Sequence, residues 1–272
     1  YVIPSQSKII SIYMDIDIGN DRPFILIAGP CQIESKDHAY KMASSIKAIT
    51  DKLGIQFIYK SSFDKANRTS LHGRRGAGIE EGMKRFDYLK LRIPGLQIIT
   101  DVHTAEQCKM VAPHVDALQI PAFLCRQTDL LLEAGRQGLW VNVKKGQFLA
   151  PWDMENVAYK IASTGNEMIM LCDRGTSFGY NTLVSDMRGL HEMKKTGYPV
   201  VIDATHSCQQ PGGQGSSSGG NREHIPVIAG VFIEVHDDPD NAASDGPNNL
   251  HLTDLEKLLR KLVELDQITK RA

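Results

Sequence analysis

Gln56-Phe57-Ile58-Tyr59, followed by Lys60-Ser61-Ser62-Phe63-Asp64-Lys65-Ala66-Asn67-Arg68-Thr69-Ser70, sets a short β-prone run against a loop dense in cations and hydroxyls. Lys60, Lys65 and Arg68 supply charge, and Ser61, Ser62, Thr69 and Ser70 supply neutral donors. That composition meets phosphate or carboxylate oxygens with several charge-assisted hydrogen bonds at once. A single basic turn is more often simply solvated. Here the odds change because the unit of apolar run, polar cluster and helical stretch recurs along the chain.

Working outward, the apolar runs are Phe24 to Ala28, Gln56 to Tyr59, Gln97 to Thr100, Ala117 to Ile120, Trp140 to Val143, Met168 to Leu171, Val200 to Ile202 and Val231 to Ile233. Helical spacing follows at Ser35 to Leu53, Ile79 to Leu91, Ala105 to Val111, Thr128 to Arg136, Asp153 to Ser163 and Thr253 to Leu265, with Ser35 as an amino cap and Leu265 on the last apolar stripe. Runs apolar throughout belong to a sheet buried on both faces, and eight of them predict a closed (β/α)8 TIM barrel of the α/β class. A doubly wound open sheet is the competing architecture, but Gly29-Pro30-Cys31 is not the Gly-x-Gly-x-x-Gly turn such a sheet usually carries after its first strand. Residues 8–18 alternate apolar and polar and predict an N-terminal β-hairpin ahead of a single barrel domain spanning 1–272.

The totals narrow the function. With 272 residues, 42% hydrophobic content and a formal net charge of −1, the chain announces neither a nucleic-acid nor an acidic-membrane surface. Five scattered cysteines without a Cys-x-x-Cys pair argue for free thiols in a reducing compartment. No apolar run reaches the ~18 residues of a membrane span, and the first residues hold no signal-peptide core, so the cytoplasm is expected. With a start at Tyr1 rather than Met, some amino-terminal residues are expected to be absent.

In a closed barrel the polar residues at the strand ends converge on one mouth. Cys31 follows the first strand, His206 follows the seventh, Glu234 ends the eighth and Asp245 lies in the loop beyond. The eighth strand lies between the seventh and the first, so these four form a candidate divalent-metal site. The soft thiolate points to zinc, iron or manganese rather than magnesium or calcium. His103 and His236 are further donors near the mouth; His38, His72, His114 and His191 are assigned no partner. Lys60, Lys65, Lys144, Arg174 and Arg126 are too many cations at one rim for structural pairing alone, and an anionic ligand would neutralise them. Lys145 takes the opposite side-chain direction to Lys144, so only one of the two faces the mouth. Asn67, Asp101 and Gln119 suit hydroxyls or a carboxylate. From the residues alone this is a barrel enzyme for phosphorylated, oxygen-rich small molecules.

These residues carry a resemblance. Ala28-Gly29-Pro30-Cys31 with Ile33-Glu34-Ser35, the whole of Lys60 to Ser70, Gln119-Ile120-Pro121-Ala122-Phe123-Leu124-Cys125-Arg126-Gln127-Thr128-Asp129 and Asp203-Ala204-Thr205-His206-Ser207 resemble the 3-deoxy-D-manno-octulosonate 8-phosphate synthases, from Phe24 to about Leu265. The resemblance implies condensation of phosphoenolpyruvate with D-arabinose 5-phosphate in lipopolysaccharide biosynthesis, with a homotetramer as the usual assembly. It further implies that Lys144, Arg174 and Arg126 hold the phosphoenolpyruvate phosphate and that Lys60, Lys65, Ser62 and Gln119 hold its carboxylate. Asn67, Arg68 and Thr69 would receive the pentose phosphate, Asp101 a sugar hydroxyl, and His103 and Ala122 further substrate contacts. Arg68 would reach a neighbouring subunit. Cys31, where the metal-independent class has asparagine, implies the metal-dependent class. Arg74 and Ala77 depart from the pattern in the loop beneath the pentose phosphate. The related synthase that uses erythrose 4-phosphate is the nearest alternative, but it typically has proline in place of the Ala66-Asn67 pair. A non-catalytic sugar-phosphate sensor would not need all four metal ligands.

One stretch is short. Between Asp203 and Val231 the only helical candidate is Asn221 to Ala229, with Pro226 inside it and a rise of only about 13 Å as a helix. A crossover there is expected to need residues missing between Ala229 and Gly230.

Overall fold

The computed structural model describes residues 16–67, 70–211, 219–220 and 232–270. Its barrel strands are β1 (Ile25–Gly29), β2 (Gln56–Lys60), β3 (Gln97–Asp101), β4 (Ala117–Ile120), β5 (Trp140–Lys144), β6 (Ile169–Asp173), β7 (Val200–Ile202) and β8 (Phe232–His236). Each pairs in parallel with the next from β1 to β7, and β8 pairs with β1. An isolated parallel bridge between Asp203 and Phe232 joins β7 to β8 and closes the ring. A ninth, short member of this sheet, Leu250–His251, pairs in parallel with the end of β8. The sequence thus folds into the expected (β/α)8 barrel.

Alternation along the strands builds two cores. Ile25, Ile27, Ile58, Ile99, Trp140, Met170, Val201 and Phe232 fill the barrel, while Leu26, Tyr59, Ile98, Leu118, Val141, Leu171 and Ile233 pack under the helices. This double burial is why the strands read as continuous apolar runs. The helices are α1 (Lys36–Leu53), α2 (Ile79–Arg92), α3 (Ala105–Val111), α4 (Thr128–Arg136), α5 (Met154–Ala162), α6 (Arg188–Lys194), the short α7 (Ala204–Ser207) and α8 (Leu252–Lys270). Ser35 caps α1 through its side chain at His38 N, as its residue type predicts. The sequence pattern did not mark α6, whose only buried residues are Gly189 and Met193. Leu255, Leu258, Leu259 and Leu262 of α8 are buried, but Leu265 is 53% exposed because the helix runs past the barrel it covers.

Most of the predicted hairpin lies outside the described residues. Its tail, Ile16 to Ile18, carries no strand; Ile16 instead packs into the inner core, and Asp17 N–H donates to Gln56 Oε1 at 2.8 Å. The Ala229–Gly230 junction and Val231 also lie outside the described residues.

At the top of β1 the backbone passes hard against β2. A Cβ on Gly29 would sit 2.1 Å from the Lys60 carbonyl oxygen, a backbone atom that cannot step aside. Gly29→Ala is therefore expected to destabilise the fold by about 3 kcal/mol or more, read as a lower urea midpoint at unchanged m-value.

Candidate active site

The strand ends place a layer of charge on top of the apolar barrel interior. Lys60, the last residue of β2, is 1% exposed, and its Nζ lies 3.2 Å from Glu234 Oε1 on β8 and 3.8 Å from Asp101 Oδ2 at the end of β3. Lys65, in the loop after β2, lies 3.7 Å from the same Asp101 oxygen. Ser62 and Gln119 donate to the two Asp101 oxygens, and Asn142 Nδ2 donates to Gln119 Oε1 at 3.0 Å. On the far wall Asp203 accepts from Lys144 Nζ and, at 2.7 Å, from His206 Nδ1, whose Nε2 lies 3.7 Å from Glu234 Oε1. Every carboxylate in this layer faces a cation.

The titration of these groups follows from that pairing. Burial alone would raise the Asp101 and Asp203 carboxyls, but Lys60 and Lys65 around Asp101, and His206 and Lys144 around Asp203, hold both well below the usual carboxylate range. Burial works against the charge on Lys65, yet the carboxylates of Asp101, Glu234 and Asp245 together hold it well above its ordinary value. Burial and the neighbouring Glu234 push the Cys31 thiol well up.

Three of the predicted metal ligands converge: the ligand atoms of Cys31, Glu234 and Asp245 lie within 4.8 Å of one another. The Cys31 thiol donates to Asp245 Oδ2 at 3.0 Å, and Ser244 Oγ lies 3.0 Å from the same sulfur. Glu234 Oε2 is buried with no hydrogen-bond partner among the described residues. A thiol and two carboxylates, one of them with an orphaned buried oxygen, fit a divalent cation. His206 stands beside the three, joined through Glu234 rather than grouped with them.

A cavity of about 510 Å³ opens over this layer, and its walls include Lys60, Lys65, Asn67, Asp101, His103, Gln119, Ala122, Lys144, Arg174, His206 and Asp245. Lys144 faces the cavity and Lys145 does not; Lys145 Nζ turns back to Thr176 Oγ1 at 3.1 Å and Leu149 O at 3.3 Å, as the alternation predicts. Arg174 donates from one Nη to Gln209 Oε1 at 2.9 Å, while its other Nη is buried without a partner among the described residues. Ser62 is spent on Asp101 and does not line the cavity. Arg126 is exposed and stands away from the cavity, because the 3-10 turn Ala122–Leu124 carries the chain outward before it. Arg68 and Thr69 lie outside the described residues. His72, Gln147, Gln209, Phe123 and Ser244 belong to the site although the residue pattern assigned them no role. Of these, Ser244 next to Asp245 and Phe123 next to Ala122 carried a positional hint. His38 and His114, also left without partners, pair with Asp237 at 2.9 Å and Asp87 at 2.8 Å. All five cysteines are buried and free, and no described helix is long and apolar enough to cross a membrane.

Residues 3–271 match the model of the DAHP synthetase I family. Among curated proteins, a 2-dehydro-3-deoxyphosphooctonate aldolase of Bartonella henselae is 57% identical over 266 residues, covering 94% of this chain and 95% of the relative. One of the same name from Brucella ovis is 57% identical over 265 residues, with the same coverage of both chains.

Removing Asp203 would leave the Lys144 cation buried without its partner, so Asp203→Asn is expected to lower stability at neutral pH by about 3–5 kcal/mol. Because the Asp101 and Asp203 carboxyls titrate lower folded than unfolded, their stabilisation is full above about pH 4 and is lost as pH falls below it. Urea titrations between neutral and acid pH should show that decline, with a shallower acid slope in the Asp203→Asn variant.

Proposed function

The chain belongs to the DAHP synthetase I family, and from that premise we propose that it condenses phosphoenolpyruvate, D-arabinose 5-phosphate and water to 3-deoxy-D-manno-octulosonate 8-phosphate and inorganic phosphate. It is a transferase of lipopolysaccharide biosynthesis, a reading that the names of its relatives support. The observation that carries the reading is one cavity faced by two sets of cations, Lys60 with Lys65 and Lys144 with Arg174, beside the Cys31, Glu234 and Asp245 cluster.

The methylene carbon of phosphoenolpyruvate forms the new bond to the sugar aldehyde carbon, and the aldehyde oxygen gains a proton. Water adds to the carbon bearing phosphate and loses one. Cleavage of the carbon–oxygen bond of the resulting hemiketal phosphate then leaves a ketone and inorganic phosphate. Lys144 and Arg174, whose free Nη is already desolvated, receive the phosphate; Lys60 and Lys65 receive the carboxylate and keep the enol phosphate oriented. Asp101 fixes both lysines, and Asp203 fixes Lys144 and His206. Asn67, with His103 and Ala122, lines the side open to the pentose phosphate. Cys31, His206, Glu234 and Asp245 would hold a divalent zinc, iron or manganese ion, which when bound supplies a Lewis acid for the aldehyde oxygen or the attacking water.

The exposed Phe123, Phe148, Trp152, Phe178, Tyr180 and Met187, all in segments after β4, β5 and β6, support assembly with further copies as a homotetramer, which sedimentation reads directly. The cytoplasm suits a chain with five free thiols.

Phosphate release from phosphoenolpyruvate is expected with arabinose 5-phosphate and not with erythrose 4-phosphate; the reverse preference would replace this reading with that of the four-carbon synthase. Lys144→Ala and Arg174→Ala should impair phosphoenolpyruvate use tenfold or more, the loss of about 1.5–3 kcal/mol for a charge-assisted contact, while Asn67→Ala chiefly impairs the pentose. Exhaustive chelation should abolish turnover and added metal restore it, whereas Cys31→Asn should retain part of it.

A further inference from the structure

A second cluster of ligand-type side chains, Glu34, His38 and His236, sits behind the metal-type cluster. It has the composition of a metal site, but its hydrogen bonds assign it another task. Asp238 N–H donates to His236 Nδ1 at 2.9 Å, with Asp237 Oδ1 3.3 Å from the same nitrogen, and Nε2 donates to Glu34 Oε1 at 3.1 Å. A ring with both nitrogens engaged in that way has no lone pair left for a metal.

The same Glu34 oxygen also accepts from Ala243 N–H at 2.8 Å. The places of these three residues in the chain give that bond its meaning. Glu34 comes shortly after Cys31 in the segment leaving β1, His236 shortly after Glu234 on β8, and Ala243 just before Ser244 and Asp245. One carboxylate oxygen therefore ties together the three separate segments that carry Cys31, Glu234 and Asp245. The anchor is firm on the His236 side, whose side chain is only 5% exposed and packs at a tilt against His38 with ring centroids 4.7 Å apart. His38 is held in turn by Asp237, which Lys41 also pairs at 2.5 Å.

We propose that Glu34 is a positioning residue that sets the spacing of Cys31, Glu234 and Asp245 by clamping His236 and the Ala243 backbone to the segment after β1. This rests on the metal-site reading above. The clamp works by reach rather than by charge. A Gln at this position keeps an oxygen with two lone pairs at the same distance, whereas an Asp keeps the charge but withdraws it by about one carbon–carbon bond, ~1.5 Å.

The test is titration of the metal-free full-length protein with Co²⁺, following the thiolate-to-cobalt absorption band and competing the ion away with a chelator. Circular dichroism checks the fold of each variant. Glu34→Gln is expected to keep near wild-type affinity and band, while Glu34→Asp and Glu34→Ala weaken Co²⁺ binding by about 10–100-fold and alter the band. Tighter binding by the Asp variant than by the Gln variant, or wild-type affinity in all three, overturns the proposal. So does loss of a second equivalent of Co²⁺ in Glu34→Ala, which would make the cluster a metal site in its own right. If Glu34→Ala does not fold, the order of the Gln and Asp variants decides. A wild-type protein with no thiolate-to-cobalt band removes the metal-site reading, and this inference with it, a result distinct from failure of the variants alone.

Discussion

Buried charge of alternating sign at the barrel mouth is the constraint on which the rest of the structure depends. Lys60, Asp101, Lys144, Asp203 and Glu234 are all buried, and a charge in that position costs several kcal/mol unless its partner is in place. The partners come from strands distant in sequence: Lys60 on β2 meets Glu234 on β8, and Lys144 on β5 meets Asp203 just after β7. Closure of the ring is what brings them together. The bridge that closes it is formed by Asp203 and Phe232, so the residue that completes the barrel also pairs two of its mouth groups.

Phe232 separates the two chemistries of the interior. Its ring lies 3.3 Å from Lys144 Nζ and 5.6 Å from Lys60 Nζ, and below it the barrel is filled by Ile27, Ile58, Met170 and their neighbours. An aromatic face serves both sides, as an apolar lid to the core beneath and as a partially negative floor to the cations above. The lysines are thereby held upright toward the cavity.

The layer is also arranged to receive charge. Asp101 and Asp203 stay ionised because cations surround them, while Cys31 keeps its proton because burial and Glu234 oppose the thiolate. A divalent cation would reverse that last balance by stabilising the thiolate it displaces the proton from. Beside it, the buried Nη of Arg174 without a partner is a donor whose desolvation has been met before any anion arrives, the kind of preorganisation that makes an oxyanion contact strong.

The strand runs, the Ser35 cap, the helices α3 and α4 and the direction of Lys144 against Lys145 were legible in the chain, because each depends on neighbours one to four residues away. The resemblance in Lys60 to Ser70 and Asp203 to Ser207 likewise identified the chemistry. What the sequence could not contain was partner choice. Nothing near Glu34 in the chain marks it for His236 and Ala243; nothing near Ser62 reserves it for Asp101. Arg126 had the composition of a site residue, yet the turn before it faces it to solvent. By itself the sequence determined the eight-fold repeat, the two cores and the set of charged and ligating side chains at the strand ends. The tertiary structure decided which cation meets which carboxylate, because those pairings cross the barrel and exist only once the ring has closed.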